Sequence, residues 1–179
     1  MRKPGPDTTV PPASSFFIFC EINSAIARDV VEWIIKVNQM QAPYPYITII
    51  INSEGGDLSA AFAIIDTIAN SVIPVHTIGM GDISSAALIL FMSGHHGNRI
   101  IKPNTSILSH QFSASSEGKY SDLLGAQRDF ELTNNRVIAH YMKHTKLSRE
   151  KVLSLLLPHG DVFLTPAEAV KYGCADIIE

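Results

Sequence analysis

The chain has 179 residues, 46% of them hydrophobic and 17% charged, with a formal net charge of −3. That length fits one domain, able to bury roughly two-thirds of the surface its unfolded chain exposes, and the mildly acidic balance argues against nucleic acid as a main partner. No apolar run reaches the roughly 18 residues of a bilayer span. Cys20 and Cys174 match no metal or redox spacing, so both read as buried free thiols of a reducing, cytoplasmic compartment.

In chain order, residues 1–14 hold four prolines and no apolar run behind their two basic residues, which predicts a flexible arm and no signal peptide. Residues 15–179 then read as a single domain. "SFFIFCEI" (15–22) predicts a buried strand. "NSAIARDVVEWIIKVNQM" (23–40) carries Ile26, Val30, Trp33, Ile34 and Val37 at helical spacing, with Asn23 or Ser24 able to cap. "ITIIIN" (47–52) is the all-apolar strand expected of a parallel sheet covered on both faces. A "SEGG" turn leads to a helix over 57–71 and a strand over 74–80. The next helix runs through "SSAALILFMSG". "NRIIKPNTSILSHQ" (98–111) reads as strand, Pro-Asn turn and strand. After a polar segment at 113–121, a long amphipathic helix spans about 122–144, and a short one begins at Ser148. "DVFLTPAEAVKYGCADII" closes the chain with a strand, a Thr-Pro helix start, a stop at Gly173 and a last strand. Alternating strands and helices predict βαβ crossovers and an α/β fold with a mostly parallel sheet.

Reactive groups in such a sheet sit where strands end and helices begin. Three junctions qualify. In "INSEGGD", Gly55 and Gly56 permit positive φ and can bring backbone N–H groups to a ligand. In "MGDISSAAL", Ser84 and Ser85 stand where a helix starts and amide dipoles favour developing negative charge; either is also a plausible cap. In "SILSHQF", His110 closes an apolar strand. His140 and His144, four apart on the long helix, have the spacing of a metal pair but no further ligand at a suitable distance, and read as a solvated face. A serine and a histidine also need an acid that holds the imidazole tautomer. Asp161 stands at a strand mouth, but spacing alone does not choose it over Asp57, Asp66 or Asp82.

From about residue 47 to 178 the chain resembles the ClpP family, the proteolytic subunit of ATP-dependent Clp proteases. "INSEGGDLSAAFAIIDTI" is similar to that family's strand, double glycine and helix, and "IGMGDISSAALILFMSG" to its nucleophile segment. "NRIIKPNTSILSHQ" resembles its Pro-Asn-Ser…His-Gln segment, and "DVFLTPAEAVKYGCADII" its C-terminal signature. The resemblance implies a ClpP/crotonase-like fold whose long helix protrudes as a "handle" between two rings. It implies a serine endopeptidase with Ser85 as nucleophile, His110 as base and Asp161 as orienting acid. The backbone N–H groups of Gly56 and Ala86 would then form the oxyanion hole. It further implies a homo-oligomer of heptameric rings stacked in pairs and a Clp ATPase partner. The substrate would be an unfolded polypeptide laid along 113–121, and the chain would need no cofactor of its own.

The chain departs from the family pattern at several places. Glu54 stands where proline is usual, Ala86 and Ala87 replace Met-Gly after the nucleophile, Phe112 replaces a proline, and Val162 replaces an arginine that helps to link rings. No axial-loop segment for an ATPase is evident in residues 1–15. Two other readings share the fold: a crotonase-like acyl-CoA enzyme, which has no serine nucleophile, and a non-catalytic ring subunit, which usually lacks triad members.

Overall fold

The computed structural model of the protein describes residues 14–40 and 44–179, so the arm expected over 1–14 lies, except for Ser14, outside the described residues. Among the described residues, seven strands and six helices alternate much as the sequence predicts: β1 (Ser15–Ile18), α1 (Ser24–Gln39), β2 (Ile47–Ser53), α2 (Leu58–Ala69), β3 (Val75–Ser84), α3 (Ala86–Met92), β4 (Arg99–Ile101), β5 (Ser106–Ser109), α4 (Tyr120–Thr145), α5 (Arg149–Leu155), β6 (Val162–Leu164), α6 (Pro166–Tyr172) and β7 (Ile177–Ile178). The main sheet runs β1-β2-β3-β4-β7, all parallel. Beyond it, β5 pairs with the far end of β3, and β6 runs antiparallel to β5. This is the mixed α/β, mostly parallel architecture that the sequence predicts.

Local chemistry explains the boundaries. Asn23 caps α1 by accepting from the N–H groups of Ala25 and Ile26, and Asp57 caps α2 by accepting from Ala60 at 2.6 Å. Thr165 and Glu168 form a capping box around Pro166, and Gly173 ends α6 in the left-handed conformation; these are the start and stop signals that the sequence shows. Because the strand order advances steadily, right-handed crossovers keep α1 and α2 on one face, where they pack on each other. Helix α3 is apolar on every side and all seven of its residues are buried, the expected fate of such a helix.

Strand β3 is longer than its apolar run suggests. It continues through "GDIS" because the ladder slips: Ile51 pairs with Gly79, but Ser53 pairs with Ile83. The Asn52 side chain fills the slip by accepting from the N–H of Asp82 at 2.9 Å. Gly81, at φ 67°, makes room for it, since a Cβ there would lie 2.5 Å from Asn52 Oδ1. The slip leaves β3 a second, offset segment, and only that segment carries β5.

Three expectations are corrected. Cys20, just past the edge strand β1, is exposed, and of the two cysteines Cys174 alone is buried. The strand at 15–22 is buried on one face only: Ile18 is fully enclosed and Phe16 meets Trp33, whereas Phe17 and Phe19 are 59% and 53% exposed. As the edge strand, β1 alternates its side chains, and α1 covers just one side. His140 and His144 are not a solvated face either. Both are buried, because the C-terminal half of α4 turns into the core beside Val137, Ile138 and Tyr141. His140 Nε2 donates to the carbonyl of Ile89 on α3 at 2.8 Å, and the two imidazoles lie 4.3 Å apart, centroid to centroid.

This burial makes stability pH-dependent. Burial pushes the His140 pKa down to about 4 and that of His144 to about 3, with neighbouring Lys143 adding to both. Both rings are neutral in the fold, whereas the unfolded chain protonates them below about pH 6.5. The unfolded state therefore binds more protons between about pH 6.5 and 4, and stability falls as pH drops through that window. For His140 the full loss is on the order of 3 kcal/mol. Urea midpoints at fixed protomer concentration should be flat between about pH 6.5 and 8 and fall steadily below that range. His140→Gln, which keeps a donor for the Ile89 carbonyl but cannot titrate, should give a shallower fall. An unchanged slope would show that His140 is not responsible.

Candidate active site

Ser85 occupies the single residue between the end of β3 and the start of α3, with φ 57° and ψ −123°. That is the first central position of a type II′ turn, a conformation that favours glycine, and a serine there stores about 1–3 kcal/mol of strain. The surrounding structure holds it. Ser85 N–H donates to the carbonyl of Leu108 at 2.9 Å, and the Ser85 carbonyl accepts from Leu88 and Ile89. Its side chain makes no cap bond and instead lies 2.8 Å from His110 Nε2. Ser84, one residue earlier, is the last of β3; it is buried, and its hydroxyl donates to Asp82. The two adjacent serines thus face different partners.

His110 follows β5 directly, and both its neighbours are tethered. Ser109 Oγ donates to the Leu156 carbonyl at 2.6 Å and contacts Tyr141 Oη of α4 at 2.8 Å. Gln111 Nε2 donates to the Leu157 carbonyl at 3.1 Å. Two anchors on the segment after α5 thus hold the imidazole from either side. Nothing in the linear pattern marks Ser109, Tyr141 and Gln111 as a set; the tertiary fold alone joins them.

Asp161 precedes β6. The ladder pairs Leu108 with Phe163 and Ser109 with Val162, so the next step of the register sets Asp161 opposite His110. Directly opposite residues of an antiparallel pair have Cβ atoms about 4.5–5.5 Å apart. Asp161 is exposed, and among the described residues its carboxylate forms no hydrogen bond with His110. Ser85, His110 and Asp161 share one geometric rule: each stands one residue beyond the last paired position of its strand, on three neighbouring strands. Asp57 caps α2, Asp82 holds Ser84, and Asp66 lies in the middle of α2.

The double glycine abuts the Ser85 turn. A Cβ on Gly55 would lie 2.7 Å from the Ser84 carbonyl and 3.0 Å from Ala86 N, and one on Gly56 would lie 2.3 Å from the Ile22 carbonyl. Only glycine admits this approach. Ile22 donates to Gly55 and accepts from Asp57, bridging Gly56 from one side; in a parallel bridge the central residue's own N–H points to the other side. The N–H groups of Gly56 and of Ala86, the first helical residue of α3, have no protein acceptor among the described residues. For Ala86 this follows from its place in the first turn.

A cavity of about 420 Å³ opens over these groups, lined by Gly56, Ser85 and His110 on one side and by Phe112, Asp129 and Phe130 on another. Its volume lies in the range of ligand sites. The wall from α4 was not anticipated. The signal for it is Phe130, a half-buried aromatic on an otherwise exposed stretch of helix, four residues before the half-buried Asn134.

Residues 12–179 match the family described as Clp protease. The chain belongs to the Clp protease family. Family membership makes it a serine endopeptidase by class. Among curated relatives, it is 34% identical to the ATP-dependent Clp protease proteolytic subunit of Deinococcus radiodurans, over 89% of this chain and 77% of that one. It is 32% identical to the ATP-dependent Clp protease proteolytic subunit 2 of Streptomyces coelicolor, covering 90% and 73% of the two chains. The proteolytic subunit 4 of Streptomyces avermitilis is 32% identical, with 90% and 71% covered. Clp proteases in general form rings and work with a Clp ATPase. No helix among its described residues is long and apolar enough to cross a membrane.

Proposed function

We propose that this Clp protease subunit hydrolyses peptide bonds of unfolded polypeptides through an acyl-enzyme, with Ser85 as nucleophile. The observation that carries the reading is the 2.8 Å approach of Ser85 Oγ to His110 Nε2, made from a strained backbone conformation. His110 takes the serine proton as Oγ bonds to the scissile carbonyl carbon, then gives it to the departing amine; water repeats the cycle and frees the acid product. The N–H groups of Gly56 and Ala86 receive the oxyanion, where loss of one donor typically costs about 10²–10³-fold. Asp161 orients the imidazole. The irregular segment after Gln111 accepts the substrate as an added strand.

The subunit assembles as heptameric rings, stacked in pairs and working in the cytoplasm. It needs no cofactor of its own, ATP being used by an unfoldase that feeds the chamber. Support for assembly comes from apolar side chains that one copy leaves uncovered, among them Phe17, Phe19 and Phe163, the last 74% exposed. Val162, where the family has an arginine, weakens the stacking of rings.

Labelling with a fluorophosphonate and native mass measurement test both parts. The wild-type chain should label and Ser85→Ala should not, and the mass should be a ring multiple of the protomer. Equal labelling of the two would refute the nucleophile, and a clean monomer at micromolar concentration would refute the ring.

A further inference from the structure

We infer that Asp129, on the α4 wall of the cleft, makes this peptidase prefer a cationic side chain, lysine or arginine, on the residue whose carbonyl Ser85 attacks. The inference rests on the peptidase reading above and names its substrate class.

Two features of the cavity carry it. Its walls are apolar where a long side chain would lie: Phe112 and Phe130 meet edge to face, with ring centroids 6.3 Å apart, and Leu58 lines the same space. Beyond the apolar part, the charges around the cavity have one sign. Asp57 and Asp129 line it, and no lysine or arginine does.

The two carboxylates are not equivalent. Asp57 is engaged by the N-terminus of α2, where it accepts from Ala60 at 2.6 Å. Asp129 has no hydrogen bond or ion pair among the described residues, although its helix carries cations close by: Arg128 turns instead to Glu131 at 3.5 Å. Asp129, Phe130 and Thr133 line the same cavity as Ser85 and His110. A lysine or arginine stem can cover the aromatic pair while its charged end reaches the carboxylate, the way amphipathic side chains usually divide apolar and polar surroundings. A cleft lined by one sign of charge also raises the local concentration of the opposite one.

Two fluorogenic peptides that differ only in that residue, lysine in one and norleucine in the other, test this in the assembled enzyme. Norleucine keeps the four-carbon stem and lacks the charge. Wild type should turn over the lysine peptide with the higher kcat/KM. Asp129→Asn should lower kcat/KM for lysine about fivefold and leave norleucine within about twofold, a size typical of a partly exposed charge pair. Asp129→Glu should keep the preference, and added salt should erode it in wild type and in Asp129→Glu but not change the Asp129→Asn ratio. Equal wild-type turnover of the two peptides, or an equal fall on both in Asp129→Asn, overturns this inference and leaves the peptidase reading intact. If neither peptide is cleaved faster by wild type than by Ser85→Ala, the peptidase reading falls and takes the inference with it.

Discussion

Replacing Ser85 by alanine is expected to lower kcat on a short fluorogenic peptide by roughly five to six orders of magnitude, the scale at which serine triads fail when the nucleophile is removed. Replacing Ser84 by alanine should leave kcat within about tenfold. The contrast follows from the partners of the two hydroxyls. Ser85 Oγ meets His110 Nε2 at 2.8 Å, whereas Ser84 is tied to Asp82 inside the offset half of β3. Ser84→Ala removes one hydrogen bond from that half, worth about 1 kcal/mol of stability, and leaves the approach of serine to imidazole in place. Alanine at 85 also occupies a backbone conformation that serine already tolerates at φ 57°, so the folded state and the assembly should persist. An active Ser85→Ala enzyme, or a dead Ser84→Ala enzyme that still folds and assembles, would reverse the register of the nucleophile.

Asp161→Asn should fold and assemble but lose about four orders of magnitude in kcat, the loss recorded when a triad aspartate becomes an amide and holds the wrong histidine tautomer. The β5–β6 register sets Asp161 opposite His110. Its carboxylate has to turn toward Nδ1 for the imidazole to accept the serine proton at Nε2. Asp57→Asn and Asp82→Asn should stay within about tenfold, since Asp57 serves as the cap of α2 and Asp82 as the partner of Ser84. The pH profile separates orientation from folding. If Asp161 acts through the histidine, its loss should change the acidic limb of kcat/KM, which reports the essential base of the free enzyme. Near-normal turnover by Asp161→Asn would remove this residue from the mechanism.

The alternation of strand and helix was legible in the chain because its signals are local. Asn23, Asp57, Ser148 and Thr165 cap the helices they precede, and a cap needs only the next three residues. "ITIIIN" announces a strand covered on both sides for the same reason, since period and composition are read within one element. The double glycine and the paired serines were visible as a place where chemistry could occur, and so was the family resemblance. Reading the residues alone left Ser84 and Ser85 open and left Asp161 among several acids.

Which serine meets the imidazole and which acid stands opposite it belong to tertiary structure, because they depend on register between segments far apart in sequence. The slip filled by Asn52 shifts the end of β3 so that β5 can join it, and it is this shift that brings Ser85 to His110 across 25 residues. The antiparallel β6 then fixes which acid comes opposite the imidazole. Burial was equally out of reach. The pair His140 and His144 has the same spacing on a solvated helix as on a buried one, and only the turn of α4 into the core makes both rings neutral. Asp129 and Phe130 likewise become walls of a cleft only when α4 packs across the strand ends. Propensity and periodicity act over one turn or one strand, whereas register, burial and the meeting of side chains are set by which surfaces the whole chain brings together.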